Sequence, residues 1–190
     1  MAYTGQILQN PVSGETIEFL QTSADTGGEL LEFELTLTPD GHVPGAHVHP
    51  EQEERFHVLE GELTLRLGAR KLVAGPGETV VIPAGSLHRF ANRSGAEVKA
   101  RVEVVPALDM EILLETTTEL ALEGNVTRKG MPRPLHLALF VRRFRREVRA
   151  PFPPAPIVRI LLAPLAALAA GRGHAERYAL DAHAPRPLPA

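Results

Sequence analysis

Between residues 29 and 37 apolar and polar side chains alternate strictly. Leu31, Phe33, Leu35 and Leu37 point one way and Glu32, Glu34 and Thr36 the other, the period-two pattern of a half-buried strand. The alternation returns at Val98, Ala100, Val102 and Val104, which are separated by Lys99, Arg101 and Glu103. Residues 54–67 read as two strands broken at Glu60-Gly61-Glu62, residues 68–71 as a hairpin turn, and residues 79–82 as a β-branched strand closed by Pro83-Ala84-Gly85. Residues 3–105 are therefore expected to be β structure. Short strands at even spacing predict a closed barrel or jelly roll, because closure leaves no exposed sheet edge.

After Pro106 the period becomes helical. Over residues 107–123 Met110, Leu113, Leu114, Thr117 and Leu120 share one face, and Glu111, Glu115, Glu119 and Glu123 form an acidic stripe. A second helix is predicted over 134–149, with an apolar seam of Leu137, Val141, Phe144 and Val148 among Arg142, Arg143, Arg145, Arg146 and Arg149. The acidic and basic helices either pair antiparallel with stripes facing or expose two separately solvated faces. A proline-rich break at 151–156 precedes the apolar stretch 157–170. That stretch is shorter than the ~20 residues a membrane span needs, and it contains Arg159 and Pro164. It is expected to be a helix docked on the barrel wall, at the barrel mouth or in a subunit interface, with a loosely ordered tail from Gly171 onward. The chain thus divides into a β-barrel domain, residues 1–106, and a helical C-terminal extension, residues 107–190.

Composition narrows the function classes. With 190 residues and 44% hydrophobic content the chain can bury a proper core. A net charge of −3 gives no reason to expect a nucleic-acid partner. There is no cysteine, which excludes disulfides, thiolate metal sites and a thiol nucleophile. The first residues have neither a basic start nor an apolar run, so a cytoplasmic location is expected and a membrane role is not.

Two stretches carry candidate chemistry. His47 and His49 are two apart, so on a strand both imidazoles face one side. Glu54 opens the next strand after a short loop, with Phe56 and Val58 on its face and Arg55, His57 and Leu59 pointing away. His88 opens a later strand. In a barrel these can converge on one interior point. Glu53 is the alternative to Glu54 if the register slips by one. Three neutral imidazoles and a carboxylate suit Fe, Mn, Ni, Co, Cu or Zn better than Ca or Mg. With a divalent ion the shell carries about +1, so an anionic oxygen donor is the expected guest. Phe33, Leu35, Phe56, Phe90, Val102 and Val104 are candidates to line the surrounding pocket. Gln52 and Arg101 would add polarity only if they faced inward. His42, His136, His174 and His183 are expected to face solvent, and His57 to point out of the barrel.

The order of these residues resembles the cupin superfamily. Gly41, His47, His49, Glu54 and Gly61 match its first motif: Gly, five residues, His-x-His, four residues, Glu, six residues, Gly. Gly77, Pro83, Gly85, His88 and Asn92 match the second: Gly, five residues, Pro-x-Gly, two residues, His, three residues, Asn. The resemblance implies a mainly β double-stranded β-helix (a jelly-roll barrel), one divalent transition metal per chain on His47, His49, Glu54 and His88, and a homodimer. It says little about the helices, which resemble the C-terminal extension of some bacterial single-cupin proteins. The expected function is a metal-dependent oxygenase. Its substrate would be a small enol, phenol or dicarbonyl bound as an anion, with iron as the ion and Glu54 as proton acceptor. A non-catalytic cupin that senses or stores a small ligand is the alternative, and a metal-dependent isomerase or epimerase ranks third.

Overall fold

The structure is a computed structural model, and it describes residues 2–178. Ten strands form two antiparallel sheets. In chain order they are β1 (Ile7–Asn10), β2 (Glu15–Gln21), β3 (Leu31–Leu37), β4 (His47–Val48), β5 (Glu53–Glu60), β6 (Leu63–Leu67), β7 (Arg70–Ala74), β8 (Thr79–Ile82), β9 (Leu87–Asn92) and β10 (Val98–Val105). The six-stranded sheet runs β1-β2-β3-β10-β5-β8 and the four-stranded sheet β4-β9-β6-β7. This is the jelly-roll arrangement that the strand spacing predicted.

The register explains the core. Val102 sits opposite Phe33 on one side and Phe56 on the other, and Ala100 opposite Leu35 and Val58. Each row therefore places three apolar side chains across neighbouring strands on one face. All of them are buried, at roughly 1.5–3 kcal/mol for each large side chain removed from water. The outward residues of the same strands pair as charges: Arg101 with Glu32, Arg55 with Glu53 and Glu103, Lys99 with Glu60. A one-residue slip would bury every one of these ions, which is why the register is firm.

Three helices follow the strands: α1 (Met110–Leu122), α2 (Pro134–Arg143) and α3 (Ala155–Gly171), then a 3-10 turn at His174–Tyr178. Of the two arrangements open to the acidic and basic helices, the antiparallel pairing does not form. α1 packs on β1 and α2 packs on α3. The acidic stripe has local uses instead. Glu111 is buried and accepts from the Ser23 amide, and Glu115 accepts from Gln6 Nε2.

The second helix is also shorter than its apolar seam suggested. It ends at Arg143, and residues 144–149 form turns and a single β-bridge. Its buried face is His136, Ala138, Leu139 and Phe140. His136, expected in solvent, is buried beside the Tyr178 hydroxyl. α3 packs mainly on α2 and the 3-10 turn, not on the barrel wall, and leaves Ile160 and Leu161 73% and 65% exposed. Among the described residues no helix is long and apolar enough to cross a membrane. The first part of the expected loose tail is ordered, since residues 174–178 form the 3-10 turn with Tyr178 buried; the rest of it, His183 included, lies outside the described residues.

Candidate metal centre

β4 and β9 pair so that His47 stands directly opposite His88. Glu54 comes from β5 in the facing sheet, two positions before Phe56 on the same inner face. His49 follows β4 immediately. The result is one cluster, in which a ligand atom from each of His47, His49, Glu54 and His88 lies within 4.8 Å of the others. The ring centroids of His47 and His88 are 4.3 Å apart, and that of His49 is 4.8 Å and 5.1 Å from them. His49, Glu54 and His88 are buried, and His47 is partly so. Glu53 points away and pairs with Arg55 at 2.7 Å, so the register selects Glu54 as the inward carboxylate.

The imidazoles are held from behind. His47 Nδ1 lies 3.0 Å from the Gly45 carbonyl and His88 Nδ1 3.0 Å from the Ser86 carbonyl, while His49 Nδ1 meets the Glu147 carbonyl. A carbonyl can only accept, so each Nδ1 carries the proton and each Nε2 keeps its lone pair. Glu54 Oε2 lies 3.0 Å from His88 Nε2 and 3.4 Å from His49 Nε2. None of these three buried atoms has a hydrogen-bond partner of acceptable geometry. Lone pairs and a carboxylate gathered without a donor repel one another, and a cation relieves all of them at once. The cluster is thus compatible with a divalent metal ion, and its N/O composition favours a transition ion over Ca or Mg.

Protonation follows from the same geometry. Burial, and next the neighbouring His49 and His88, push the His47 imidazole down to about 3. Burial opposes charge on His49 and on Glu54 as well, but their attraction outweighs it. Glu54 is held well below the usual carboxylate range and His49 is raised.

Phe33, Leu35, Phe56, Phe90, Val102 and Val104 are all buried in the barrel core. Phe56 and Phe90 are in ring contact, with centroids 5.0 Å apart. A surface pocket beside His88 is bordered by other residues: Ala46, Arg66, Gly68, Leu87 and Arg89. Gln52 is buried, but its amide donates to the Pro106 and Ala107 carbonyls and ties the ligand loop to the end of β10. Arg101 faces outward toward Glu32. His57 also faces out, against Thr79 Oγ1 and Glu103. The second-motif Asn92 is fully buried, and its Nδ2 donates to the Leu37, Thr38 and Ala96 carbonyls. Sequence reasoning missed Glu147. Its contribution here is a main-chain carbonyl, which leaves no mark on the pattern of residue types.

Residues 33–105 match the cupin domain family. Oxidoreductase OpS7 of Beauveria bassiana (strain ARSEF 2860) is 34% identical over 79 residues, a stretch covering 38% of this chain and 26% of that protein. The match thus spans about a quarter of that relative's length. Among solved structures, the polyketide cyclase RemF from Streptomyces resistomycificus is 28% identical with a TM-score of 0.44, covering 55% of this chain and 70% of that one. A sugar phosphate isomerase from a cupin superfamily, from Silicibacter pomeroyi, is 27% identical with a TM-score of 0.44, covering 55% and 67%.

Proposed function

Because residues 33–105 of this chain are a cupin domain, we propose that it is a metal-dependent oxygenase whose ion is held by His47, His49, Glu54 and His88. The observation that carries the reading is the set of three Nδ1 contacts to carbonyls, which turns three Nε2 lone pairs and one carboxylate onto a single buried point. Four protein ligands on an octahedral ion leave two positions for exogenous groups, and the net charge near +1 favours an anion. The substrate class that fits is a small enol, phenol or 1,3-dicarbonyl. A redox-active ion such as iron would supply Lewis acidity toward the anionic oxygen and the electron chemistry of dioxygen.

The chain's own residues account for the rest. Phe56 and Phe90 pack on the inner face beside the cluster and give that side an apolar character. Glu54, whose carboxylate lies in the cluster, is the residue to which this reading assigns the substrate's acidic proton. The oxidoreductase name of the fungal relative agrees with this reading over the quarter of that protein which matches.

Gln52 and Arg101 are committed to other contacts, so no further acid or base is assigned to the site. That feature also favours a second reading, a cupin that binds a small metal-chelating ligand without turning it over. Dioxygen uptake by the iron-loaded protein with a panel of enols, catechols and 1,3-dicarbonyls decides between them. Uptake that disappears in His88→Ala supports the oxygenase. Tight binding of panel members with no uptake, with iron, nickel or copper, replaces it by the binding reading.

A further inference from the structure

Two of the three imidazoles are oriented from within their own motif. His47 uses the Gly45 carbonyl and His88 the Ser86 carbonyl, each two residues away along the chain. His49 differs, because its Nδ1 acceptor is the carbonyl of Glu147, 98 residues later and outside the cupin domain. The same segment completes β4. That strand is two residues long and pairs with β9 along one edge only. On its other edge Val48 and Arg149 exchange both main-chain hydrogen bonds, each at 3.0 Å. Three residues before Arg149, Arg146 grips Glu51 in the ligand loop, with Nε 3.2 and 3.0 Å and Nη2 2.7 Å from its carboxylate oxygens.

Residues 149, 147 and 146 thus meet residues 48, 49 and 51 in antiparallel order. The segment is anchored in turn. Phe144 is buried in the core against Phe140, Arg143 bonds Asp109 at 2.8 Å, and the buried Glu147 carboxylate accepts from the Asp109 amide at 3.3 Å. The contacts at Asp109 tie this segment to the start of α1.

We infer that residues 146–149 are a strap that positions the His-x-His ligands, so that the C-terminal extension is a working part of the metal centre. The inference rests on the metal reading above. Its physical basis is that an imidazole with an outer hydrogen bond is fixed in tautomer and ring orientation and is a more basic ligand. Glu147 and Arg149 act as positioning residues through main-chain atoms, so the decisive substitution is one that changes the main chain. Arg149→Pro removes the donor to the Val48 carbonyl, and Arg149→Ala keeps it.

The test is the dissociation constant for Co(II), measured by competition with a chelator, together with the visible absorption spectrum of bound Co(II). Arg149→Pro is expected to weaken binding by roughly 10–100-fold, the usual cost of losing an outer-shell partner, and to shift the Co(II) bands. Arg149→Ala should leave both close to wild type. Glu51→Ala and Arg146→Ala should each weaken binding by a smaller factor, about two- to five-fold for an exposed ion pair, with no further loss when combined. A folded Arg149→Pro chain with wild-type affinity and spectrum overturns the inference. If Arg149→Pro does not fold, the Glu51 and Arg146 variants decide, and unchanged affinity in both overturns it. A wild-type protein that takes up no Co(II) overturns the metal reading and this one with it, an outcome distinct from tight binding that ignores the strap.

Discussion

Glu53 and Glu54 are neighbours with opposite fates. Glu53 lies partly exposed against Arg55, while Glu54 is buried between two imidazoles. Glu54→Gln keeps the shape but removes the charge, so metal affinity should fall by more than the ~10–100-fold typical of an outer-shell loss. Glu53→Gln should leave it unchanged in the same titration. Glu15 offers a second test, well away from the cluster. Desolvation of this half-buried side chain raises its carboxyl from 4.5 to about 7, against the opposing pull of Ser13 and His42. An acid whose folded pKa lies above its unfolded value stabilises the fold when neutral. That stability is fully present below pH 4.5 and is lost as pH rises through 7. Glu15→Gln should flatten this segment of the stability-versus-pH curve in denaturant titrations; an unchanged slope would show that the carboxyl is not held neutral. Strand alternation, a local property, put His47 and His49 on one face, and the resemblance to the cupin motifs joined Glu54 and His88 to them. His136 was not legible in this way. Its burial depends on Tyr178 arriving from 42 residues downstream.

At the level of elements, the strands were readable and the helix partners were not. The alternation in β3, β5 and β10 set both the inner face and the charged outer face, and the structure keeps both. Amphipathic helices state which face is buried but not against what. The acidic stripe of α1 suggested the arginines of α2 as partners, yet Glu111 and Glu115 turn to Ser23 and Gln6 at the N-terminal strands. The seam of α2 was overextended because the segment after Arg143 keeps apolar spacing while leaving the helix, and there Phe144 and Val148 still pack on the core. Asn92 shows what a motif residue can do for its element without touching a ligand. Its amide closes three carbonyls from the ends of β3 and the loop before β10. Asn92→Ala would leave buried acceptors unpaired at ~1–3 kcal/mol each, so a loss of at least ~2 kcal/mol in unfolding free energy is expected. Co(II) affinity of the folded fraction should be preserved, whereas a selective loss of metal with intact stability would contradict this role.

For the whole molecule, the candidate metal centre sits where both sheets and the extension meet. β4 and β9 belong to one sheet, β5 to the other, and Glu147 to the segment after α2. An ion bound there therefore crosslinks parts of the chain that unfold together, and the unfolded chain offers no comparable site. Binding at a hundred times the dissociation constant contributes about 2.7 kcal/mol. For a chain of this size each kcal/mol moves the midpoint by roughly 2–4 °C. Adding a strong chelator to metal-loaded protein should then lower Tm by about 5–10 °C in a calorimetric scan. His88→Ala should show no chelator effect, since it lacks the ion in both states. Amide exchange should report the same coupling locally, with the Val48 and Arg149 amides losing protection when the ion is withdrawn, because each donates to the other residue's carbonyl beside the ligands. Protection lost in β4 but retained at Arg149 would mean that the barrel holds its ion without the extension. Loss at both, in step with Tm, is the behaviour of a site built jointly by the barrel and the chain that follows it.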